Sequence, residues 1–150
     1  MAVFTMMCGV SNSGKSTMAK VITSEENIVS SDKVRDILFD GKYNKEDNKK
    51  VFEIVDYEIM KRLKEHKDVV YDATNLSSYY RKKFLDKIKE YDCFMQCVFL
   101  DVPLDVCIDR ASKRQENIVP ESDIRRMYEM LNIPTLDEGW DAVQIIKFKS

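Results

Sequence analysis

The chain has 150 residues, 44% of them hydrophobic and 33% charged, with a formal net charge of −2. That length gives one domain with a real core and excludes two ordinary ones. The charge balance excludes a long electrostatic footprint on duplex nucleic acid, which needs many uncompensated Lys and Arg, but not a grip on one strand end.

The first element expected is a buried strand over residues 3–10, "VFTMMCGV", apolar on both faces as a parallel sheet requires. It has no charged segment before it, and about ten apolar residues cannot span a bilayer, so no membrane segment is expected. From Gly14 a helix follows, with Met18, Ala19, Val21 and Ile22 turned inward. "NIVS" (27–30) reads as a second strand, and "DKVRDILFDG" as a helix closed by Gly41. A longer helix spans Asn44 to about Lys67, with Val51, Ile54, Val55, Ile59 and Leu63 at helical spacing. "DVVYD" (68–72) is the third strand, residues 78–91 a helix, and "CFMQCVFLD" (93–101) the fourth strand. Pro103 suits the first turn of the next helix, which runs to about Lys113. "ESDIRRMYEML" is one more helix, and "AVQIIKF" (142–148) a last strand. Strands alternating with helices predict an α/β fold: a parallel five-stranded sheet with helices on both faces. Ligands in such sheets bind beyond the carboxyl ends of the strands.

Gly9 to Ser16 fits G-x-x-x-x-G-K-[ST], between a strand and a helix. Backbone N–H groups of Gly9, Ser11, Asn12, Ser13, Gly14, Lys15, Ser16 and Thr17 would curl around the phosphates of ATP, aided by the helix N-terminus. Lys15 would reach the β and γ phosphates, and the Ser16 hydroxyl would ligate Mg²⁺. "NKED" (44–47) looks like a guanine-reading motif, but it does not follow a late apolar strand and reads as a helix start with Asn44 as cap. None of the glycines at 9, 14, 41 and 139 has Asp three residues before it, so no GTPase switch is present. The phosphate acceptor is then an organic hydroxyl rather than water.

Asp32 follows the second strand, where a kinase needs a carboxylate to orient the acceptor hydroxyl and take its proton; the competing reading is a helix N-cap. Arg35, three residues on, either grips a substrate phosphate or pairs with Asp32. Asp72 ends the third strand and faces the Mg²⁺ shell, or else is a turn-forming residue. Thr74 and Asn75 are candidates for lining the acceptor groove. Arg110 and Arg114, four apart on a helix that runs into the irregular stretch 114–120, describe a lid over ATP, or else a basic face beside Lys113.

Other features read as structural. Lys42, Lys45, Lys49 and Lys50, and also Arg81-Lys82-Lys83, are expected to be solvated. His66 is expected to complement a helix dipole, and Trp140 to lie in the core rather than near adenine. Cys8, Cys93, Cys97 and Cys107 sit in apolar runs with no C-x-x-C pair, which argues for reduced, buried thiols and a cytoplasmic setting.

Four stretches together resemble the polynucleotide 5′-hydroxyl kinase family, the kinase modules of end-healing enzymes. They are "GVSNSGKST" (9–17), "SSDKVR" (30–35), "DATN" (72–75) with Arg81 downstream, and residues 101–131 with an R-x-x-x-R lid followed by Val-Pro. The resemblance spans nearly the whole chain as one kinase domain, with a small lid at about 110–120. It implies ATP and Mg²⁺ as cofactors, the 5′-OH end of RNA or DNA as partner, and Lys15, Asp32 and Arg114 as the catalytic set. It further implies that Asp32 is the general base, that Arg35 contacts the phosphate next to the acceptor nucleotide, and that Arg110 joins Arg114 in the lid. A kinase of a small acceptor and a nucleotide-binding regulatory protein are the alternatives.

Overall fold

A computed structural model describes residues 1–40, 45–116 and 118–149, with backbone alone at 45 and 46. The strands are β1 (Ala2–Cys8), β2 (Ile28–Ser30), β3 (Val69–Asp72), β4 (Cys93–Asp101) and β5 (Ala142–Lys147). All pairings are parallel, in the order β2-β3-β1-β4-β5. The helices are α1 (Lys15–Ile22), α2 (Ser31–Phe39), α3 (Lys45–Lys64), α4 (Ser78–Ile88), α5 (Leu104–Ser112) and α6 (Glu121–Met130).

The expected α/β class and five-stranded parallel sheet are what the chain forms. β1 runs through the middle with almost every side chain buried, because both its faces are covered. One face packs Phe4, Tyr71 and Phe99 against Val51, Val55 and Ile59 of α3 and Phe84, Leu85 and Ile88 of α4. The other packs Met7, Val70 and Val98 against α1, α5 and α6 through Ala19, Cys107, Ala111 and Ile124. Trp140 stacks on Phe4, with ring centroids 6.4 Å apart, and so belongs to the core.

Three expectations about side chains change. Val21 and Ile22 are 75% and 38% exposed rather than inward: α1 is two turns long, and Ala19 is the apolar residue it sinks into the core. Arg81, expected in solvent with Lys82 and Lys83, is 1% exposed. Its Nε and Nη2 donate to the two carboxylate oxygens of Glu138 at 2.8 and 2.7 Å. Further donations reach the carbonyls of Asn75, Leu76 and Asn132. Asp32 is not the cap of α2; that role falls to Ser30, whose hydroxyl accepts from the Lys33 N–H at 3.3 Å.

The expected helix stop at Gly41, the Asn44 cap and the side chains of Lys42 and Lys45 lie outside the described residues, while Lys49 and Lys50 are exposed. Pro103 sits one residue before α5, at its N-cap. His66 is exposed just after α3 with φ of 59°. Cys8, Cys97 and Cys107 are buried and Cys93 half-buried. Among the described residues, no helix is long and apolar enough to cross a membrane.

Candidate functional site

The carboxyl ends of β1, β2 and β3 open into a cleft of about 810 Å³ whose walls come from α1, α2, α3, the stretch after α5, and α6. On its floor lies the loop between β1 and α1. A Cβ at Gly9 would come within 2.7 Å of Ser13 Oγ, so a side chain there would displace the Ser13 hydroxyl from the loop. Gly14, with φ of 99°, caps α1 in a conformation that side chains resist. Gly9 N–H donates to the Thr74 carbonyl at 3.0 Å, which ties this loop to the one after β3.

Lys15 lies over this loop with Nζ donating to the Val10 carbonyl at 2.9 Å. Burial pulls its ammonium below the usual lysine range, with the Asp72 carboxylate opposing. Ser16 Oγ donates to Asp72 Oδ2 at 2.8 Å. Burial holds Asp72 above the usual carboxylate range, against the Ser16 hydroxyl and Lys15. Ser13 Oγ is the one buried side-chain polar atom among the described residues without a hydrogen-bond partner. An orphan inside a cradle of N–H groups fits a loop that an anion completes. The Ser16 hydroxyl and Asp72 carboxylate are hard oxygen donors, as Mg²⁺ requires, and Mg²⁺ takes its other ligands from water and phosphate. No cluster of three or more His, Cys, Asp or Glu forms a self-sufficient metal site among the described residues.

Across the cleft, α2 presents Asp32 and Arg35. Arg35 Nη1 donates to Asp32 Oδ1 at 2.8 Å, so the i,i+3 ion pair expected as one alternative is present. Both residues still line the cleft. Thr74 lines it too. Asn75 is instead turned toward β1, where its Nδ2 donates to the Met7 carbonyl at 2.8 Å and its φ is 47°. Arg110 and Arg114 both reach the phosphate loop: Arg110 Nη1 donates to the Asn12 carbonyl at 3.2 Å and Arg114 Nη1 to Asn12 Oδ1 at 3.1 Å. The Arg110 guanidinium also stands 5.6 Å from the Phe148 ring centroid. Asn12 itself has φ of 68°.

Contributions that escaped the reading of the sequence include two helix faces and the ends of β4 and β5, with Leu100, Ile146 and Lys147. From α3, Asn48 and Phe52 enter the cleft, and from α6 Asp123, Arg126 and Met127. The available signal at Asn48 was a polar residue continuing the apolar stripe Val51–Val55–Ile59 toward the helix start. On α6 the i,i+3 pair of Asp123 and Arg126 looks like any solvated helix face in sequence.

The profile of the family AAA_33, an AAA domain, matches residues 4–134. The chain belongs to this family. It also has a P-loop kinase fold, alike to several solved structures. A chain of the Pnkp1/Rnl/Hen1 RNA repair complex superposes with a TM-score of 0.75 at 25% identity, over 87% of this chain and 44% of that one. This chain therefore spans less than half of that relative. A sugar kinase from Janibacter sp. HTCC2649 gives a TM-score of 0.71 at 17% identity, over 98% of this chain and 86% of that one. Kti12 from Chaetomium thermophilum, in complex with ADP-AlF3, gives 0.71 at 15% identity, over 97% and 89% of the two chains. No curated protein matches this P-loop chain.

Proposed function

We propose that this protein transfers the γ-phosphate of ATP to the 5′-hydroxyl end of a polynucleotide, with Asp32 as general base. The observation that carries the reading is the pairing of Asp32 with Arg35 across the cleft from Lys15, Ser16 and Asp72. A carboxylate beside a guanidinium suits an acceptor with a hydroxyl to deprotonate and a phosphate next to it. The internal phosphate of a strand end meets both requirements. The 25% identity to a chain of an RNA repair complex supports the same choice.

In this reading the backbone N–H groups of the phosphate loop and the Lys15 ammonium orient the triphosphate and meet the charge that builds on it during transfer. Ser16 and Asp72 would hold Mg²⁺, which supplies charge neutralisation at the phosphate oxygens when bound. Asp32 positions the attacking hydroxyl and accepts its proton, and Arg35 fixes the neighbouring phosphate. Arg110 and Arg114, now resting on Asn12, close over the nucleotide and exclude water.

A second reading, a kinase of a small phosphorylated acceptor, is favoured by the net charge of −2. Labelled ATP offered with a 5′-OH oligonucleotide, with nucleosides and nucleotides, and with no acceptor separates the two. Labelled oligonucleotide is the expected product. Labelling of a small molecule with none on the oligonucleotide replaces the first reading by the second.

A further inference from the structure

The pattern D-x-x-R occurs twice in the chain, at Asp32 with Arg35 and at Asp123 with Arg126. Each begins in the first turn of a helix, and each closes an i,i+3 ion pair at 2.8 Å. Both pairs line the cleft. Helix α2 packs Val34 and Phe39 on one face of the sheet, and α6 packs Ile124 on the other. The two pairs therefore enter the cleft from opposite faces.

They are buried in opposite senses. In α2 the arginine side chain is 13% exposed and the aspartate 73%; in α6 the arginine is 52% exposed and the aspartate 27%. Asp123 is thus the anchored member of its pair, and Arg126 carries its guanidinium out toward solvent at the rim. Among the described residues, Asp123 is the one hydrogen-bond partner of Arg126, through Nη2. A guanidinium has five N–H donors, so most of this one's remain for a ligand. Its neighbour Arg125 turns away from the cleft, pairing with Glu121 at 3.1 Å beside Leu104 and Ile108 of α5. Of the described residues that line the cleft, six are Lys or Arg and four are Asp, although the chain as a whole has a net charge of −2. Positive charge is thus concentrated where an anion would lie.

We propose that Arg126 is a specificity residue for the length of the acceptor: it binds the second phosphate of a 5′-OH strand, the next one along from the phosphate at Arg35. The inference rests on the reading of Asp32 and Arg35 given above. A guanidinium takes a phosphate through two N–H groups at once, and an exposed ion pair such as that with Asp123 is weak enough to yield to it. The order of burial also matches the course of a strand. The first phosphate lies deep, beside the buried arginine of α2, and the second lies toward solvent, beside the exposed arginine of α6. An acceptor with a single phosphate gains nothing from Arg126, so the site prefers a strand to a mononucleotide.

The test uses the full chain with ATP, Mg²⁺ and two acceptors: a 5′-OH dinucleotide ending in a 3′-hydroxyl, which has one phosphate, and the same dinucleotide ending in a 3′-phosphate, which has two. For the wild type, the KM of the two-phosphate acceptor should be the lower by about tenfold, the worth of one charge-assisted contact. Arg126→Ala should remove that difference, leaving kcat and the KM values for ATP and the one-phosphate acceptor within about twofold of wild type. Arg126→Lys should keep part of the difference, since an ammonium retains the charge but not the fork. Arg125→Ala should behave as wild type, and all three variants should melt as wild type does, because both pairs are exposed. A difference that survives Arg126→Ala, is absent from the wild type or is removed equally by Arg125→Ala overturns the inference and leaves the proposed function standing. So does a defect of Arg126→Ala that falls on the KM for ATP, which would put Arg126 on the donor. Failure of the wild-type protein to label either dinucleotide overturns both.

Discussion

Because Ser30 caps α2, the helix start does not depend on Asp32. Asp32 sits in the first turn, largely exposed, where its ion pair with Arg35 contributes about 0–1 kcal/mol. Asp32→Asn should then leave thermal unfolding nearly unchanged, while kcat for transfer falls by roughly 10²–10⁴-fold, the usual worth of a positioned proton acceptor. A kcat within about threefold of wild type would remove the base from the mechanism. Lys15 gives the complementary case. Its ammonium is buried and below its usual pKa range, so the fold holds that charge at a cost. Lys15→Ala should keep or raise the melting temperature while transfer drops by about 10²-fold or more. These residues were readable in sequence because the chemistry fixes their local spacing. Arg81 was not, since the carboxylate that makes its burial tolerable is Glu138, on a segment distant in sequence.

At the scale of elements, the strands were legible nearly to the residue, because a parallel sheet buried on both faces writes itself as apolar runs. The expected β4 and the observed Cys93–Asp101 coincide. Helix α1 was legible in place but not in orientation. With Val21 exposed, Ala19 does the packing, and an eight-residue helix is too short for its period to mark the inner face. The helix read to about Lys113 ends at Ser112, so Arg110 lies in α5 and Arg114 just past it, and the two arginines do different things. Arg114 bonds only the Asn12 side chain, whereas Arg110 bonds the Asn12 backbone and stacks near Phe148. Arg114→Ala should therefore lower kcat and raise the KM for ATP while the acceptor KM holds; Arg35→Ala should do the reverse. Identical kinetic defects in the two variants would mean that donor and acceptor are not divided between α2 and the stretch after α5.

For the whole molecule, the Arg81–Glu138 pair joins α4 to the segment that leads into β5, with the Trp140 N–H adding a bond to Glu138 at 3.0 Å. Breaking a buried pair from one side costs about 3–5 kcal/mol, so Glu138→Gln should be severely destabilising at pH 7. Burial pushes the Glu138 carboxyl up, but Arg81 and Trp140 together hold it below its ordinary range. A carboxylate lowered on folding contributes stability above its unfolded pKa, about 4.3, and loses it as the pH falls through the folded value. The gap between wild type and Glu138→Gln in urea unfolding should hold at pH 7 and narrow toward pH 3. A gap constant across that range would mean that shape, not charge, is what Glu138 supplies.

The central place of β1 has a consequence for how the protein is made. Its partners are Val69 to Tyr71 on one side and Cys93 to Phe99 on the other. The strand that delivers the phosphate loop thus precedes both of its neighbours in the chain, and it cannot be seated until β4 has followed. Until then a run of seven apolar-rich residues stands without either neighbour, with both edges open to another chain. Folding waits on closing two long loops and should be slow for a domain of this size. Because the phosphate loop takes shape only when that closure is complete, nucleotide capture during synthesis would report the moment at which the sheet is finished.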